Sequence, residues 1–410
     1  MRVLLTPAGT RGDFQPMLAL AIGLARAGHE PTIAASALYG PEARAFDIPF
    51  VTAGVDVRGI SREWARTGDF TPARSVAKLL RAGRDYVGPG IEELVPLVRG
   101  YDLVVCGGAQ ICAPSAAEAA GVPCWFVAYI SQALPSAHHP PFTMPLRGRP
   151  GLVNRGLWAL NDRVIAAAFG GPLGATRRRL GLPPIRSIAA HFFRADRALL
   201  ASDPEIDPVA PDVEMAHASF GSFHVPDERP LPEALLAFVR QGPRPVYIGF
   251  GSVSDGKPRE TTALIVDAVE RAGVRAVISR GWSELESERA SDNVHFIDDV
   301  SHSLLLPLVA ATVHHGGAGT TAASARAGRP QLIVHHAFDQ IRIGERIHGA
   351  GVGPRPISRS KLDAESLAAA LRLLVHDAGL RERAAQIGGK IAARDAVGET
   401  VRFLEQQVRR

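Results

Sequence analysis

The sequence predicts an α/β protein built from two Rossmann-like domains, each a parallel β-sheet covered by helices, that face each other across a cleft. Two series of short apolar segments alternate with helical patterns, which is typical of βαβ units. A proline-rich stretch separates the two series. At 410 residues the chain is too long for one ordinary core and suits two domains of about 200 residues each. In such folds ligands bind at the carboxyl ends of the strands.

The first series predicts a domain over residues 1–225. Its expected strands are 2–8, 31–35, 102–106 and 124–129, and its expected helices are 14–27 and 114–120. Residues 131–151 contain several prolines and form a predicted loop that is too long for a simple connection. Loops of this length in compact domains are usually functional or disordered.

The second series predicts a domain over residues 245–390. Its expected strands are 246–250, 276–279, 294–296, 311–315 and 331–334. Five prolines between residues 226 and 245 mark the junction, which we predict as a linker over residues 226–244. A helical pattern runs from about residue 381 to residue 410, and we expect residues 391–410 to pack back on the first domain.

Composition and charge exclude several classes of protein. The net charge is +5, but only four of the 46 basic residues are lysines, and the arginines are scattered. Because no basic run is interleaved with aromatic residues, nucleic acid is not an expected partner. No apolar run approaches the roughly 18 residues that cross a bilayer, and the first residues lead into a strand rather than a signal peptide. We therefore expect a cytoplasmic protein without stable membrane insertion.

The cysteines give no sign of a disulfide framework. Cys106, Cys112 and Cys124 are odd in number, lie in apolar surroundings and lack CxxC spacing. They are expected to be buried free thiols in a reducing compartment.

A glycine-rich turn between a strand and a helix is the most informative segment. It reads Thr312-Val313-His314-His315-Gly316-Gly317-Ala318-Gly319-Thr320-Thr321. Glycine lets the backbone approach a ligand, and the amino end of a helix presents unpaired N–H groups and a partial positive charge. A diphosphate suits this position, with the imidazole of His314 and the hydroxyl of Thr320 as further donors. A tight turn with nothing bound is the alternative that the turn alone leaves open.

The sequence resembles the glycosyltransferases of GT-B fold that include plant secondary-product, sterol and antibiotic enzymes. The glycine-rich turn matches the donor signature of that family, as do residues 326–331 and the pair Asp339-Gln340. The resemblance covers nearly the whole chain and is strongest in the second half. It implies that His314 contacts the donor phosphate and that Asp339 and Gln340 hold hydroxyls of the transferred sugar. The other donor-binding residues it implies in the turn are Gly316, Gly317, Ala318, Gly319 and Thr320. For Asp339, capping of the following helix is the alternative.

The same resemblance implies three further donor-binding positions. Ser252 follows the first strand of the second domain and matches a serine near the phosphates, with a simple glycine-rich turn as the alternative. Trp282 matches the nucleobase region, where an indole can cover a planar base, with a packed core tryptophan as the alternative. Val300 matches a residue that touches the base through its backbone.

No metal or other cofactor is expected. Asp298 and Asp299 are adjacent and do not form a DxD metal motif, and no other metal-ligand cluster is evident in the sequence. The amino end of the helix after the glycine-rich turn already supplies positive field for a departing diphosphate.

The turn 9–13 joins the first strand to the first helix, so Asp13 is expected at the carboxyl edge of the first sheet, facing the cleft. A hydroxyl that attacks the anomeric carbon of a sugar loses a proton, and a carboxylate within hydrogen-bond reach can accept it. The family places its catalytic base in this turn, and its antibiotic and sterol members carry the Arg-Gly-Asp form present in this sequence. Asp13 is therefore the expected general base, with pure helix capping as the alternative. Thr10 is expected to help orient the acceptor or the donor sugar.

The acceptor site is expected in the first domain, where members of the family differ most. Loop 131–151 and segment 64–84 are its expected walls. The apolar side chains expected there are Phe142, Met144 and Trp158. His138 and His139 are either polar markers of the acceptor or simple loop residues, and neither is assigned to catalysis.

These observations predict an inverting glycosyltransferase that moves a hexose from a UDP- or dTDP-sugar to a hydroxyl of a small apolar natural product, sterol or lipid-like acceptor. A sugar-nucleotide epimerase of the same build is one alternative, but it needs no acceptor loop. A non-catalytic helper of a partner transferase is another, but it would be expected to lack Asp13 or His314. The sequence carries no signal for the oligomeric state.

Overall fold

The structure, a computed structural model, describes residues 1–56, 59, 72–144, 150–193, 197–251, 257–281, 285, 291–336 and 339–408. Two parallel sheets with helices on their faces form two α/β domains, which confirms the predicted fold class. None of the helices within these ranges combines the length and apolar character that a membrane span requires.

The first sheet has seven parallel strands in the order β3-β2-β1-β4-β5-β6-β7. They are β1 Arg2–Ala8, β2 Glu30–Ala35, β3 Phe50–Thr52, β4 Leu103–Gly108, β5 Cys124–Ala128, β6 Ala198–Leu200 and β7 His217–Ser219. The helices of this part are α1 Arg11–Arg26, α2 Gly40–Arg44, α3 Pro72–Val98, α4 Ala113–Ala120, α5 Gly151–Arg179 and α6 Ile188–Phe192. Because β1 pairs with β2 on one side and β4 on the other, the strand order reverses at β1, and the turn after β1 borders a crevice.

The second sheet has six parallel strands in the order β10-β9-β8-β11-β12-β13. They are β8 Val246–Gly249, β9 Ala276–Ser279, β10 Val294–Ile297, β11 Ala311–His314, β12 Gln331–His335 and β13 Ile357–Ser358. The helices that follow β7 are α7 Glu233–Arg240, α8 Pro258–Ala272, α9 His302–Leu305, α10 Ala318–Arg326, α11 Gln340–Gly349, α12 Ala364–His376, α13 Ala378–Ala392 and α14 Ala396–Val408. The strand order reverses between β8 and β11, which places the glycine-rich turn after β11 at the second crevice.

Alternation along β1 explains why the first sheet is covered on both faces. Val3 and Leu5 pack in one core with Met17 of α1, whereas Leu4 packs in the opposite core with Ile91 of α3. Successive residues of a strand point to opposite faces, so an uninterrupted apolar run requires two cores.

Two segments differ from the sequence expectation. Helix α7 lies within the stretch predicted as a linker, and its Leu235 and Phe238 pack against the second sheet at Val277. The surrounding prolines concealed this amphipathic pattern. The predicted single helix over 381–410 is two helices, α13 and α14, because the chain bends at Asp395, whose carboxylate accepts a hydrogen bond from the N–H of Gly398 over 3.0 Å.

Helix α14 packs on the first domain rather than on the second. Ala396, Val401 and Leu404 share a buried core with β1 and with Met17 of α1. The chain therefore crosses between the domains a second time near its carboxyl end.

Candidate functional site

The two domains meet at a cleft onto which α1 and α10 open. A pocket lies between them. Pro16, Tyr129 and Ile130 line it from the first domain, and Ala318 and Gly319 line it from the second. The turns before α1 and α10, the two segments singled out in the sequence, are therefore close neighbours in the folded protein.

Asp13 occupies the third position of α1 and takes part in a reciprocal capping arrangement with Thr10. The N–H of Thr10 donates to Oδ2 of Asp13 over 2.7 Å, and the Thr10 hydroxyl donates to the same oxygen over 3.3 Å. The N–H of Gly12 donates in return to the Thr10 hydroxyl over 3.3 Å. Asp13 remains half-buried at the edge of the cleft. Capping thus coexists with partial exposure of this residue.

Two glycines make room for the carboxylate of Asp13. A Cβ atom on Gly9 would lie 2.1 Å from Oδ2 of Asp13, and one on Gly108 would lie 2.5 Å from Oδ1. Both glycines also have positive φ angles, of 141° and 67°, which other residues rarely adopt. The hydroxyl of Tyr129 donates to the carbonyl oxygen of Asp13 over 3.0 Å. Gly108 was not predicted as a site residue from the sequence. The one feature that could have indicated it is the Gly107-Gly108 pair at the end of β4.

The surroundings of Asp13 favour its protonated form. Burial raises the pKa of Asp13 to about 6, although hydrogen bonds from Thr10 partly oppose the shift. A carboxylate that titrates close to neutral pH is well matched to accept and release a proton.

Asp339 is half-buried in the second domain, immediately before α11. Its side chain makes no capping hydrogen bond to that helix, so the capping alternative is not what the structure shows. Burial, with smaller contributions from the negative charges of Asp13 and Asp207, raises the pKa of Asp339 to about 7. The carboxylates of Asp13 and Asp339, from different domains, are therefore near enough for their charges to interact.

The side chain of Gln340 stabilises the turn that carries Asp339. Its Oε1 accepts a hydrogen bond from the N–H of His336 over 2.7 Å. The α carbon of Gln340 also lies close to Gly316, at 3.5 Å from the place a Cβ of that glycine would take. The expected sugar-binding pair thus lies against the glycine-rich turn.

The side chain of His314 is bonded within the protein. Its ring is fully buried, its Nε2 lies 2.9 Å from Oε1 of Gln331, and its Nδ1 accepts the N–H of Gly316 over 3.2 Å. Burial lowers the pKa of His314 to about 4, so the ring is neutral and donates to Gln331 through Nε2. With both nitrogens bonded inside the protein, His314 holds the glycine-rich turn in place and makes no direct contact with the cleft.

The neighbouring His315 has a different environment. Its ring lies between the turns after β8 and β11, 2.9 Å from the position of a Cβ on Gly251 and 2.4 Å from that of a Cβ on Gly317. Its Nδ1 is buried and has no hydrogen-bond partner within the described ranges. The motif alone did not single out this residue.

The amino end of α10 begins directly after the glycine-rich turn. Gly317 is the N-cap residue and offers no side chain to the first-turn N–H groups. Ala318, Gly319 and Thr320 follow and are all half-buried at the cleft. Unpaired N–H groups and the helix dipole make this end suitable for an anionic group.

The expected nucleobase region is only partly described. Ser252 and Trp282 lie outside the described residues, whereas Val300 is half-buried after β10. Asp298 lies 3.3 Å from Arg280, and Asp299 pairs with Arg11 of the first domain. Within the part of the chain that the structure describes, no three His, Cys, Asp or Glu side chains are grouped as metal ligands.

The acceptor loop is described over residues 131–144, and residues 64–71 of the other expected wall lie outside the described residues. His138 is exposed, whereas His139 is fully buried and its carbonyl accepts the indole N–H of Trp158 over 3.0 Å. Phe142 packs edge-on against Phe193, with ring centroids 6.3 Å apart. Met144 is half-buried.

The sequence is similar to enzymes that transfer sugars. Residues 266–406 match the family described as erythromycin biosynthesis protein CIII-like, C-terminal domain. The chain is 32 % identical to glycosyltransferase GtfC of Amycolatopsis orientalis, over 100 % of this chain and 98 % of that protein. It is also 32 % identical to the vancomycin aglycone glucosyltransferase of the same organism, over the same shares. Sterol 3-beta-glucosyltransferase UGT80B1 of Arabidopsis thaliana is 29 % identical over 92 % of this chain and 63 % of that protein.

Solved structures share the fold over the whole chain. The crystal structure of glycosyltransferase VinC in complex with dTDP superposes with a TM-score of 0.71 at 22 % identity and covers 100 % of both chains. The spinosyn rhamnosyltransferase SpnG complexed with spinosyn aglycone has a TM-score of 0.67 at 19 % identity and covers 99 % of this chain and 100 % of the other. At these identities the likeness establishes the two-domain architecture.

Proposed function

The chain belongs to the GT-B glycosyltransferases that include the vancomycin-type antibiotic and sterol enzymes, and from this premise we propose that it transfers a hexose with inversion to a small apolar hydroxyl acceptor. The donor is a UDP- or dTDP-sugar, and glucose is the first sugar to test. The observation that carries the proposal is that the carboxylates of Asp13 and Asp339, from different domains, interact electrostatically near the contact where Pro16 of α1 and Ala318 of α10 line one pocket.

Asp13 is the proposed general base. The acceptor hydroxyl gives its proton to the Asp13 carboxylate as its oxygen attacks the anomeric carbon. The bond between that carbon and the diphosphate oxygen breaks on the opposite face, so the product has the inverted configuration. The proposal is supported by the half-buried position of Asp13 and by its pKa of about 6.

The second domain is proposed to hold the donor. Asp339 and Gln340 form hydrogen bonds with the sugar hydroxyls. The amino end of α10 stabilises the departing diphosphate. His314 contributes by fixing the N–H of Gly316 and thereby the shape of the turn. Thr320 adds a hydroxyl, and Ser252, Trp282 and Val300 remain predicted donor contacts.

We propose that the reaction needs no metal ion. The positive end of α10 takes the part that a divalent cation plays in other transferases, because it faces the place where the diphosphate charge develops. The adjacent Asp298 and Asp299 support this proposal, since both carboxylates are engaged by arginines.

The acceptor is proposed to be an aglycone or sterol-like molecule, by analogy with the substrates named for the relatives. It would lie between the loop 131–144, with Phe142 and Met144, and the carboxylate of Asp13. Thr10 is proposed to help orient its hydroxyl, in addition to its capping role.

A donor and acceptor screen tests this proposal. Purified protein is incubated with UDP-glucose or dTDP-glucose and a panel of hydroxylated apolar aglycones, and nucleoside diphosphate release is measured, with Asp13→Asn as the matched control. We expect release that depends on the acceptor, and a product whose anomeric proton coupling shows the configuration opposite to that of the donor. A product with retained configuration would exclude the single-displacement mechanism, and an epimerised donor without glycoside would favour the epimerase.

A further inference from the structure

Two carboxylates hold the acceptor loop in one shape. The N–H and the hydroxyl of Ser131 donate to Asp207 over 2.6 and 2.7 Å. Five residues further on, the hydroxyl of Ser136 and the N–H of Ala137 donate to Asp212 over 2.6 and 2.7 Å. Both aspartates come from the segment between β6 and β7, so the loop is pinned at two equivalent points to the same stretch of chain.

Asp207 differs from Asp212 because it also forms an ion pair with the other domain, although Nε of Arg346 makes no hydrogen bond within the described residues. Nε of Arg346, on α11, lies 3.1 Å from Oδ1 of Asp207, and the guanidinium also donates to the carbonyl of Pro208 over 2.6 Å. The Arg346 and Asp207 side chains are only 11 % and 14 % exposed, so solvent screens this pair weakly. Asp212 instead lies 3.9 Å from the exposed ring of His138.

Helix α11 joins this contact to the proposed sugar site. Asp339 and Gln340 stand at the start of the helix, and Arg346 follows less than two turns later. Arg342, one turn before Arg346, faces the same loop, since its charge helps to lower the pKa of His139. One end of α11 thus carries the proposed sugar-binding residues, while Arg346 contacts the segment that anchors the acceptor loop.

We propose that Asp207 is a positioning residue that couples donor binding in the second domain to the shape of the acceptor loop in the first. This inference rests on the proposed function. Sugar contacts at Asp339 and Gln340 hold α11 against the first domain, Arg346 then holds Asp207, and Asp207 holds Ser131. By thermodynamic linkage, a donor that strengthens this chain of contacts also strengthens the binding of the acceptor that the loop surrounds. An aglycone therefore binds more tightly after the nucleotide sugar than before it.

Amide hydrogen exchange tests the coupling without an acceptor in hand. Wild-type protein is compared alone, with bare UDP or dTDP, and with UDP-glucose or dTDP-glucose. We expect the intact donor to slow exchange in residues 131–134 by at least about fivefold, the lower end of ordinary coupling between sites. Bare nucleotide should protect the turn before α10 but leave residues 131–134 nearly unchanged, because it lacks the sugar that reaches α11.

Matched variants separate coupling from simple anchoring. In Asp207→Asn we expect the intact donor still to protect α11 from amide exchange. It should slow exchange in residues 131–134 by less than about twofold. Asp212→Asn loses the same kind of loop anchor, and we expect it to keep the wild-type response in residues 131–134. Arg346→Gln, which leaves Ser131 bonded to Asp207, should uncouple the loop as Asp207→Asn does, and Arg346→Lys should restore part of the response.

The outcomes distinguish this inference from the proposed function. If no donor protects any residue between 311 and 349, the proposed donor site is wrong. If the donor protects α11 while residues 131–134 stay unchanged in the wild type, or if both Asp207→Asn and Arg346→Gln respond as the wild type does, the coupling is overturned. Thermal unfolding of each variant shows whether it is folded, and Arg346→Gln decides the matter should Asp207→Asn fail to fold.

Discussion

The negative charge of Asp13 raises the pKa of Asp339 across the cleft, although the two residues belong to different domains. The pKa of Asp13 is itself raised to about 6 and that of Asp339 to about 7. Near neutral pH the pair therefore carries less than its full negative charge. This suits a site that must receive an anionic nucleotide sugar while keeping one carboxylate able to accept a proton.

Replacing Asp13 by Asn tests the general base. The amide oxygen can still accept the N–H of Thr10, but it cannot take a proton, so we expect turnover to fall roughly 10²- to 10⁴-fold. Donor affinity, measured by calorimetric titration, should change little. Thr10→Ala removes the capping hydroxyl and leaves the base, so its thermal unfolding shows what the loss of the cap alone does to stability. Near-normal turnover in Asp13→Asn would assign the residue to helix capping.

The pH dependence of the reaction should show an acid limb. Because burial raises the pKa of Asp13 to about 6, the base is protonated and inactive below that pH and ionised above it. We expect kcat/KM for the acceptor, at saturating donor, to rise between pH 5 and pH 7 with a midpoint of about 6. The residual rate of Asp13→Asn should lack this limb. A rate that stays flat down to pH 5 would contradict the assignment.

Asp339→Asn should stabilise the protein by an amount that depends on pH. The ordinary pKa of 3.8 applies to Asp339 in the unfolded chain, and the folded value is raised to about 7. The folded protein therefore binds the extra proton between these values, and the contribution of Asp339 to stability falls as pH rises through that window. At pH 8 we expect the variant to unfold roughly 2–4 °C above the wild type, and at pH 4 at the same temperature. A higher melting temperature at both pH values would indicate a cause other than ionisation.

His314 and Gln331 should act together on nucleotide binding. His314→Ala frees the N–H of Gly316 and loosens the glycine-rich turn, so we expect the affinity for both the intact donor and the bare nucleoside diphosphate to fall about tenfold or more. Gln331→Leu removes the side-chain hydrogen bonds to His314 and to Thr321 of α10, and it should weaken the binding of both ligands by a smaller factor. Asp339→Ala is the contrasting variant and should weaken the intact donor while sparing the bare nucleotide. Equal losses for the bare nucleotide in Asp339→Ala and His314→Ala would overturn the sugar-holding role.

Chelation tests the metal-free mechanism. Since the amino end of α10 is proposed to stabilise the leaving diphosphate, turnover should survive EDTA and extensive dialysis. Restoration of a lost rate by Mg²⁺ or Mn²⁺ would instead direct attention to Asp298 and Asp299.

Local sequence patterns were sufficient for the elements that build the cleft. The apolar run of β1 is buried on both faces, and Asp13 lies in the first turn of the helix that follows it, as expected from the strand–turn–helix order. Gly108 and Asp207 could not be anticipated in the same way. They reach Asp13 and Ser131 from segments about 95 and 76 residues away along the chain, and no periodic pattern marks such contacts.

The orientation of His314 shows a different limit. The motif identifies which residue ends β11, but the direction in which its ring bonds is set by Gln331 on the neighbouring strand β12. The linker prediction at the junction between the domains missed helix α7 for a further reason. Prolines at residues 226–245 indicated a linker, while the tertiary packing of Phe238 on the second sheet made part of it a helix.

The return of α14 to the first domain determines how this protein could be recombined with its relatives. A Cβ atom on Gly23 would lie 2.2 Å from Cγ1 of Val397, so α1 and α14 are fitted to each other closely. Toward the carboxyl end of α14, Oε1 of Glu405 lies 2.8 Å from Nε2 of His29 in the first domain. A chimera with a single crossover near residue 230 would pair a native α14 with a foreign α1. Acceptor domains should therefore be exchangeable only when residues 1–225 and residues 395–408 are taken from the same parent. Recombination between relatives is expected to keep these two ends of the gene together.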